Sequence, residues 1–252
     1  MNTVLPGLVL AAFGAGVVDA IAGGGGILTV PALLATGLDP RVVLATNKGQ
    51  AVWGASVSFG RFLRHGHIDR RRAPWSFVAA AAGSALGAKA VLLLRPELLR
   101  PLVLGLLLVA SGLAFVRKPL AQGEAASWVK AAPRAAAVVV AVGLGAYDGF
   151  FGPGTGTFLL LIYAYVFGDD LVSASGNAKV ANFASNLAAF TAFAIQGAIR
   201  WDLALPMGVA QVAGAWVGTE LAVKRGAGLV RVAAVGVSLA LAVRVVWQMT
   251  HP

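Results

Sequence analysis

Four of the ionisable residues inside strongly apolar segments of this 252-residue sequence form two matching sets. Asp19 and Lys48 belong to the first half of the chain, and Asp148 and Lys179 occupy corresponding places in the second half. A charge inside a hydrophobic segment is costly, so it usually pairs with another charge or lines a polar pathway. One interpretation is that each aspartate forms a structural ion pair with the lysine of its own half. The other interpretation is that the lysines bind an anion and the aspartates carry a coupling proton. The two interpretations are compatible if binding of the substrate breaks the ion pairs.

Polar clusters surround both lysines. The stretch 45–50 (ATNKGQ) contains the first lysine, and the stretch 175–186 (SGNAKVANFASN) contains the second. Lys179, Asn182 and Asn186 are spaced so that they share one helical face. Ammonium and amide groups donate hydrogen bonds, so these clusters are expected to attract a small monovalent or multivalent anion.

Glycine-rich stretches precede a short apolar segment in each half. Segment 27–36 follows the glycines 23–26 and contains Pro31, and segment 155–167 follows the stretch 151–156 (FGPGTG). Ten helical residues cover about 15 Å, which is half of a hydrocarbon core. Unwound backbone at that depth is tolerated where it lines a cavity, and the following helix offers free N–H groups and a dipole that favour an anion. Matched short segments of this kind are typical of transporter binding sites.

Two other interpretations apply to these glycines. A phosphate-cradling loop would need a GK[ST] sequence after a strand, and GGGGILTV offers neither, which disfavours a nucleotide site. Close packing of helices through small residues is an alternative that stays open. The pairing of the glycines with a shortened segment in both halves favours the binding site.

The candidate site follows from these clusters. The expected substrate-binding residues are Gly24, Gly25, Gly26, Thr46, Asn47, Lys48, Gln50, Gly154, Thr155, Gly156, Asn177, Lys179 and Asn182. Asp19 and Asp148 are the expected coupling or ion-pair residues.

Enzymatic and metal chemistry find little support. His65, His67 and His251 lie in loops or at the terminus, without carboxylate partners at ligand spacing. The sequence has no nucleophile elbow, no Ser/His/Asp set and no HExxH motif. We therefore expect no catalytic residues, no metal site and no cofactor.

The composition excludes a soluble globular domain. Hydrophobic residues make up 58% of the chain and charged residues 12%, which leaves too little polar surface to cover a core of this size. The apolar residues form long blocks such as 73–94 and 203–222, which are long enough to span a bilayer. The chain has no cysteine, so disulfides and thiolate sites are excluded. The net charge of +10 is typical of basic cytoplasmic loops facing anionic lipid, and we expect no nucleic-acid partner.

An internal repeat organises the chain. Residues 14–26 (GAGVVDAIAGGGG) align with residues 143–155 (GLGAYDGFFGPGT). Further matches are Asn47 with Asn177, Arg100 with Arg231, and Lys89 with Glu220. The last match joins opposite charges, which fits an ion pair between repeats or two side chains that extend separately towards an interface.

The predicted fold is an all-α polytopic membrane protein. Its ten or so hydrophobic segments form two five-segment repeats, with short broken helices after the glycine-rich loops. The expected boundaries are 1–116 for the first membrane repeat, 117–134 for a cytoplasmic linker and 135–252 for the second membrane repeat. The segments are predicted at 4–22, 27–36, 42–62, 73–94, 101–116, 135–151, 155–167, 171–195, 203–222 and 229–248.

The distribution of basic residues predicts that the repeats are inverted. Loop 61–72 contains five arginines and should be cytoplasmic, and the linker should be on the same side. The equivalent loop of the second half, 196–202, then lies outside. Inverted repeats are common in secondary transporters. Whether segments 27–36 and 155–167 span the bilayer or are re-entrant stays open.

The motifs resemble those of the sulfite exporter TauE/SafE family of YfcA-like membrane permeases. The resemblance lies in 23–54, in 145–161 (GAYDGFFGPGTGTFLLL) and in 173–186 (SASGNAKVANFASN), and it covers nearly the whole chain. It implies a permease for sulfur-containing anions, such as sulfite and sulfonates, in the bacterial inner membrane. The second repeat departs from the first, with Gly-Asn-Ala-Lys in place of Thr-Asn-Lys, so the symmetry is imperfect.

The expected function is therefore secondary transport of a small sulfur-containing or organic anion, driven by H⁺, Na⁺ or the substrate gradient. Two alternatives are an anion channel and a non-transporting membrane protein that recruits a partner. The sequence leaves open which anion moves, in which direction, with which ion, and whether the chain forms a homo-oligomer.

Overall fold

The computed structural model describes residues 4–95, 97–99, 101–103, 105–106 and 124–250. This part of the chain is helical and contains no strand. The helices are α1 (Leu5–Ala22), α2 (Gly26–Leu34), α3 (Pro40–Arg64), α4 (Ala73–Leu93), α5 (Ser127–Ala131), α6 (Pro133–Phe150), α7 (Thr155–Tyr165), α8 (Leu171–Ile195) and α9 (Trp201–Thr250). The last of these is interrupted at Gly226, where the backbone leaves the helical conformation.

Local sequence signals explain where the two longest uninterrupted helices begin. The Asp39 carboxylate accepts a hydrogen bond of 2.8 Å from the Arg41 N–H, and Pro40 supplies a first position that needs no hydrogen bond. In the second half the Asp170 carboxylate accepts from the N–H groups of Val172 and Ser173 at 3.0 and 3.1 Å. Both α3 and α8 have 25 residues, or roughly 37 Å of helix, and can cross a bilayer.

Helix α2 turns back along α1. Gly23 has a φ of 75°, which reverses the chain, and a Cβ on Gly25 would lie 2.7 Å from the Ala15 carbonyl oxygen. The return path ends where α1 began, because residues 4–8 and 35–38 line one apolar pocket of about 300 Å³. The first two helices therefore form a re-entrant hairpin.

The second half contains the same hairpin. Gly152 and Gly154 have φ values of 93° and 86° at the break between α6 and α7. The Ala126 N–H, which precedes α6, donates a 2.9 Å hydrogen bond to the Val166 carbonyl, which follows α7. Helix α7 therefore also returns to the end from which its partner came. Both short helices thus return to the end of the bundle from which they came, and this geometry favours the re-entrant alternative that the sequence left open.

The two halves run in opposite directions. Arg72 contacts Asp169, so loops 65–72 and 166–170 meet at one end of the molecule, which we name end A. The Arg200 N–H donates to Thr46 Oγ1 at 3.1 Å and brings the segment after α8 to the start of α3, at the opposite end B. Helix α3 thus runs from B to A and α8 from A to B.

Mirrored hydrogen bonds correct the repeat alignment within α3 and α8. Thr46 accepts from the N–H of Arg200, and Asn177 accepts from the N–H of Asp69 at 2.8 Å. These two contacts are equivalent, so Thr46 corresponds to Asn177 and the predicted match with Asn47 is one position off. In the corrected register Lys48 corresponds to Lys179.

Each half packs its first helix against the fourth helix of the other half. A Cβ on Gly16 of α1 would lie 2.5 Å from the Gln211 carbonyl oxygen of α9. A Cβ on Gly145 of α6 would lie 2.4 Å from the Ala80 carbonyl oxygen of α4. Small residues at both contacts let the helix backbones approach closely, as is common in membrane helix packing.

The outer surface of the bundle is apolar. Large hydrophobic side chains are exposed on several helices, among them Leu10, Leu86, Val139 and Val209 at 67–73%. By length and composition, α1 and α4 could each cross a membrane. A surface of this kind is stable in lipid, where apolar side chains need no cover.

Parts of the predicted organisation lie outside the described residues. These parts are most of the predicted segment 101–116 and residues 117–123 of the predicted linker. The side chains of Arg100 and Arg231, which the repeat alignment pairs, also lie outside the described part. Helix α6 begins at Pro133, inside the range predicted for the linker.

The α4–α6 contact can be tested with two glycines of the same helix. We expect Gly145→Ala to cost about 1–3 kcal/mol and to lower the midpoint of thermal unfolding in detergent by several degrees, because its methyl group overlaps Ala80. Gly143→Ala is the matched control, since nothing lies within 4 Å of its Cβ position. Equal midpoints for the two variants would contradict the close approach.

Candidate functional site

The two buried ion pairs are exchanged between the halves. Lys48 of α3 lies 2.9 Å from the Asp148 carboxylate of α6, and Lys179 of α8 lies 2.9 Å from the Asp19 carboxylate of α1. The predicted pairing within each half is therefore wrong. The reason is the antiparallel arrangement, which places each lysine beside the glycine break of the opposite half.

The Lys48–Asp148 pair is enclosed by other polar groups. Both side chains are at most 3% exposed. The Asp148 carboxylate also accepts from the hydroxyl of Ser185 and from the Asn186 amide at 3.4 Å, and Lys48 donates to the Asn186 side-chain oxygen at 3.3 Å. A buried pair with this many additional hydrogen bonds is compensated for its loss of hydration.

The Lys179–Asp19 pair is more open on its acidic side. Lys179 donates both to the Asp19 carboxylate and to the Asp19 backbone carbonyl, and its side chain is 2% exposed. The Asp19 side chain is 13% exposed, and within the described residues its other oxygen accepts a single hydrogen bond, of 3.3 Å from the Gly25 N–H. The two pairs are equivalent in sequence but differ in how far they face open space.

The glycines at the two helix breaks, between α1 and α2 and between α6 and α7, allow the loops to pack closely and leave their backbone accessible to the cavity. A Cβ on Gly23 would lie 2.1 Å from the backbone of Gly156, so the two loops touch directly. A Cβ on Gly152 would lie 3.1 Å from the Lys48 ammonium. The two interpretations of the glycines are thus compatible, because packing of the loops brings their free backbone to the ion pairs.

A small cavity lies between the two breaks. The cavity has a volume of about 20 Å³ for the centre of a water molecule, so it has room for roughly one water. A sulfur oxyanion is several times larger, so the cavity has no room for one in this conformation. The residues lining the cavity are Asp19, Gly24, Gly25, Gly26, Asn47, Lys48, Ala51, Asp148, Gly152, Gly156, Asn182, Asn186 and Gln211.

Several hydrogen-bond donors at the cavity have no acceptor within the described part of the chain. The N–H group of Gly26 begins α2, and that of Gly156 lies in the first turn of α7. The oxygen of the Asn47 side chain accepts from Thr29 at 2.6 Å, which leaves its amide N–H₂ near Gly26. The Asn182 side chain lines the cavity as well. These groups are placed to bind an anion.

Several predicted site residues lie outside the cavity lining. Thr46 binds the backbone at end B, Gln50 donates to Asn47 at 3.1 Å, and Thr155 donates to the Gly152 carbonyl at 2.8 Å. Asn177 lies at end A, where it bonds Asp69 and Asp169. The other predicted residues that do not line the cavity are Gly154 and Lys179.

Four lining residues were absent from the predicted set. Asn186 had a usable signal, because it shares a helical face with Lys179 and Asn182. Gln211 is an amide within the apolar stretch 203–222, and a search for polar residues inside spans would find it. The others, Ala51 and Gly152, carry no chemical signal of their own.

The cavity has no excess of positive charge. Two lysines and two aspartates lie at or beside it, and each lysine is paired. An arriving anion therefore competes with a carboxylate for its lysine. The expectation that the lysine clusters attract an anion therefore needs a correction, because each lysine already has a carboxylate partner.

Arg72 closes end A by joining loops of both halves. Its guanidinium donates to Asp69 at 2.6 Å and to Asp169 at 2.8 Å, and it lies 5.0 Å from the ring centre of Phe167. Burial lowers the pKa of Arg72, but its hydrogen bonds with Asp169 and Asp69 outweigh this, so the net pKa is raised. Burial likewise raises the pKa of Asp69, and donation from the Arg71 N–H and from Arg72 more than offsets it, so the net pKa is lowered.

Of the two alternatives for Lys89 and Glu220, the ion pair between repeats does not form in the described part of the chain. Glu220 pairs with Arg61 of α3 and with Lys224 at 2.9 Å. Lys89 is exposed on α4, which fits the other alternative, that the side chains of Lys89 and Glu220 extend separately towards an interface.

Comparison with known proteins gives consistent results. The profile of the family described as sulfite exporter TauE/SafE matches residues 8–245. A probable membrane transporter protein, ORF9, of a Sinorhizobium species is 37% identical over 97% of this chain and 93% of its own length. A probable membrane transporter protein of Haemophilus influenzae is 36% identical, with 94% and 92% covered, and YfcA of Escherichia coli K12 is 34% identical, with 93% and 86% covered. No solved structure matches the chain.

A double-mutant cycle tests the exchanged pairing. We expect Lys48→Met and Asp148→Asn each to cost about 3–5 kcal/mol, because either change leaves a buried charge unpaired. The double variant should be more stable than the sum by about 0.5–3 kcal/mol in thermal or denaturant unfolding. The control cycle combines Lys48→Met with Asp19→Asn. A larger coupling in that control would show that the pairs form within each half.

A second comparison tests the cluster at end A. We expect Arg72→Gln to cost about 1–3 kcal/mol at neutral pH, while Arg71→Gln, at an exposed neighbouring position, changes stability by less than about 0.5 kcal/mol. Because the pKa of Asp69 is lowered in the folded protein, its contribution is present above its ordinary pKa and is lost as the pH falls through the lowered value. The difference between wild type and Arg72→Gln should therefore shrink in acid, and a difference that grows there would contradict the bridge.

Proposed function

The chain belongs to the sulfite exporter TauE/SafE family, and we propose that it is a secondary transporter of small sulfur-containing or organic anions across the bacterial inner membrane. It is a helical membrane transporter and not an enzyme. The substrate class, the particular membrane and the multi-pass arrangement within it are parts of the proposal.

One observation carries the proposal. Two mirrored halves exchange buried lysine–aspartate pairs around a cavity, and unpaired amide donors face the same space. Amides and ammonium groups bind oxyanions through several short hydrogen bonds. Glycine at both breaks allows a ligand to approach the backbone, because no Cβ stands in the way.

The geometry favours alternating access. The cavity is too small for the substrate in this conformation, and Arg72 ties the two halves together at end A. Movement of one half against the other would enlarge the cavity and open it to one end at a time. An anion channel would instead need a continuous path through both ends.

The energy source follows from what the chain contains. It has no nucleotide-binding motif, so transport would depend on a gradient of H⁺, of Na⁺ or of the substrate. The inverted halves and the apolar outer surface support a multi-pass protein. A homo-oligomer is compatible with that surface but is not required by the site.

Reconstituted protein tests this function. Purified protein in proteoliposomes should take up one or more of sulfite, thiosulfate, sulfonates and small carboxylates with saturation. We expect Lys48→Ala and Lys179→Ala to abolish uptake. Asn182→Ala should reduce it about 10- to 100-fold at low substrate, because one hydrogen bond to a charged ligand is lost.

The matched control is Gln196→Ala, which removes an exposed amide from the end of the same helix. It should transport like wild type, and thermal unfolding should show that Asn182→Ala is folded. Unsaturable current in electrical recordings would indicate a channel. Wild-type protein that moves no anion, while loop 61–72 and linker 117–134 bind a second protein, would support the membrane-partner alternative.

A further inference from the structure

We propose that this protein carries one proton on Asp19 with each monovalent anion, so that transport is electroneutral, while the Lys48–Asp148 pair stays intact throughout the cycle. This inference rests on the proposed function, because it assigns the coupling ion and its residue within the same cavity.

The charge balance of the site is the first argument. Two buried lysines are matched by the buried Asp148 and the partly buried Asp19, and the remaining residues that line the cavity are neutral. Adding a lone anion would place an uncompensated charge in a region of low dielectric, which is expensive. An anion that enters together with a proton leaves the total charge at zero.

The surroundings of Asp19 identify it as the proton carrier. It lines the cavity with 13% of its side chain exposed. One carboxylate oxygen faces Lys179, and the other accepts a long 3.3 Å hydrogen bond from the Gly25 N–H. A proton can reach this second oxygen without breaking a strong contact.

Asp148 differs from Asp19 although the two correspond in sequence. Its side chain is 2% exposed, and one of its oxygens accepts from Lys48, Ser185 and Asn186 together. Protonation at either oxygen would remove the negative charge that the ion pair with Lys48 and the hydrogen bonds from Ser185 and Asn186 depend on. In the corrected alignment of the halves, Ser185 and Asn186 correspond to Gly54 and Ala55. Since these two residues have no side-chain donor, Asp19 lacks the hydrogen bonds that surround Asp148.

The charged groups that face Asp19 are few. Helix α8 contributes Lys179, helix α3 contributes Lys48 across the cavity, and helix α6 contributes Asp148. Helices α2, α7 and α9 contribute only neutral groups to the described lining, including Gln211. Among these, the contact that changes when Asp19 gains a proton is the one with Lys179.

The transport step then balances in charge and protons. A proton from solvent binds the Asp19 carboxylate, and the Lys179 ammonium keeps its own charge but loses its partner. The anion takes the place of that partner and accepts hydrogen bonds from Lys179, Asn182 and the first N–H groups of α2 and α7. On the other side the anion leaves, Asp19 releases its proton to solvent, and the pair with Lys179 forms again.

Proteoliposomes that contain a trapped pH dye test the inference. A small sulfonate, which stays a monoanion over the whole pH range used, is supplied outside, and valinomycin with K⁺ gradients sets the membrane potential. In wild type we expect one proton to enter with each anion, an inward pH gradient to accelerate uptake, and a 100 mV potential to leave final accumulation unchanged. Replacing Na⁺ with choline should have no effect.

Asp19→Asn provides the decisive comparison, because asparagine mimics a permanently protonated carboxyl group. We expect slower uptake that is independent of pH, with no proton movement and with electrogenic transport. A potential of 100 mV, positive inside, should then support accumulation of about 50-fold, since one charge gains about 2.3 kcal/mol and about 1.36 kcal/mol is tenfold. Asp19→Glu should restore the dependence on pH.

The outcomes separate this inference from the proposed function. Wild-type uptake that follows the potential or needs Na⁺ overturns the inference and leaves anion transport standing. Wild-type protein that moves no anion overturns the proposed function itself. If Asp19→Asn fails to fold, the wild-type proton count still decides, and proton-coupled uptake that persists in a folded Asp19→Asn variant overturns the assignment to Asp19.

Discussion

The structure depends on an exchange of charge between its two halves. Each lysine inside the bundle pairs with an aspartate of the opposite half, at the point where that half breaks its helix. Ion pairs of this kind do not need to make the protein more stable than an apolar core would, since desolvation offsets most of the attraction. The ion pairs instead make the packing of the two halves specific, because a lysine inside the membrane has few other stable partners. The exchange therefore fixes how the halves face each other.

The same constraint explains the shape of the site. Because the halves are antiparallel, both glycine breaks reach the centre of the bundle, and two re-entrant hairpins meet there. The helices that follow the breaks, α2 and α7, direct free N–H groups at the cavity. The side-chain amides that line it differ between the halves, with Asn47 in the first half and Asn182, Asn186 and Gln211 in the second. A small cavity with a balanced charge suits a carrier that must exchange internal ion pairs for a ligand. Arg72 at end A is a further contact between the halves, besides the Arg61–Glu220 ion pair and the hydrogen bond from Arg200 to Thr46 at end B.

Much of this organisation was predictable from the residues. The all-helical membrane fold and the family are confirmed, and segment 171–195 matches the bounds of α8. The partner of each lysine was not predictable, because hydropathy shows which residues lie in a helix but not which helix faces it. The register of α3 against α8 was misassigned since Asn47 and Asn177 are identical, whereas Thr46 and Asn177 make equivalent hydrogen bonds with different side chains. Whether the short segments return was also undecidable, because a half-length helix satisfies both arrangements.

The most direct test of the account is to locate the bound anion. Selenite has the charge and shape of sulfite, and its selenium atom gives an anomalous signal in a crystal of the protein. The account predicts one strong selenium peak between the starts of α2 and α7, within hydrogen-bonding reach of Asn182, with Lys48 still paired with Asp148. A peak at the basic loop 61–72 or in the apolar pocket at end B, with the central cavity unchanged, would contradict it.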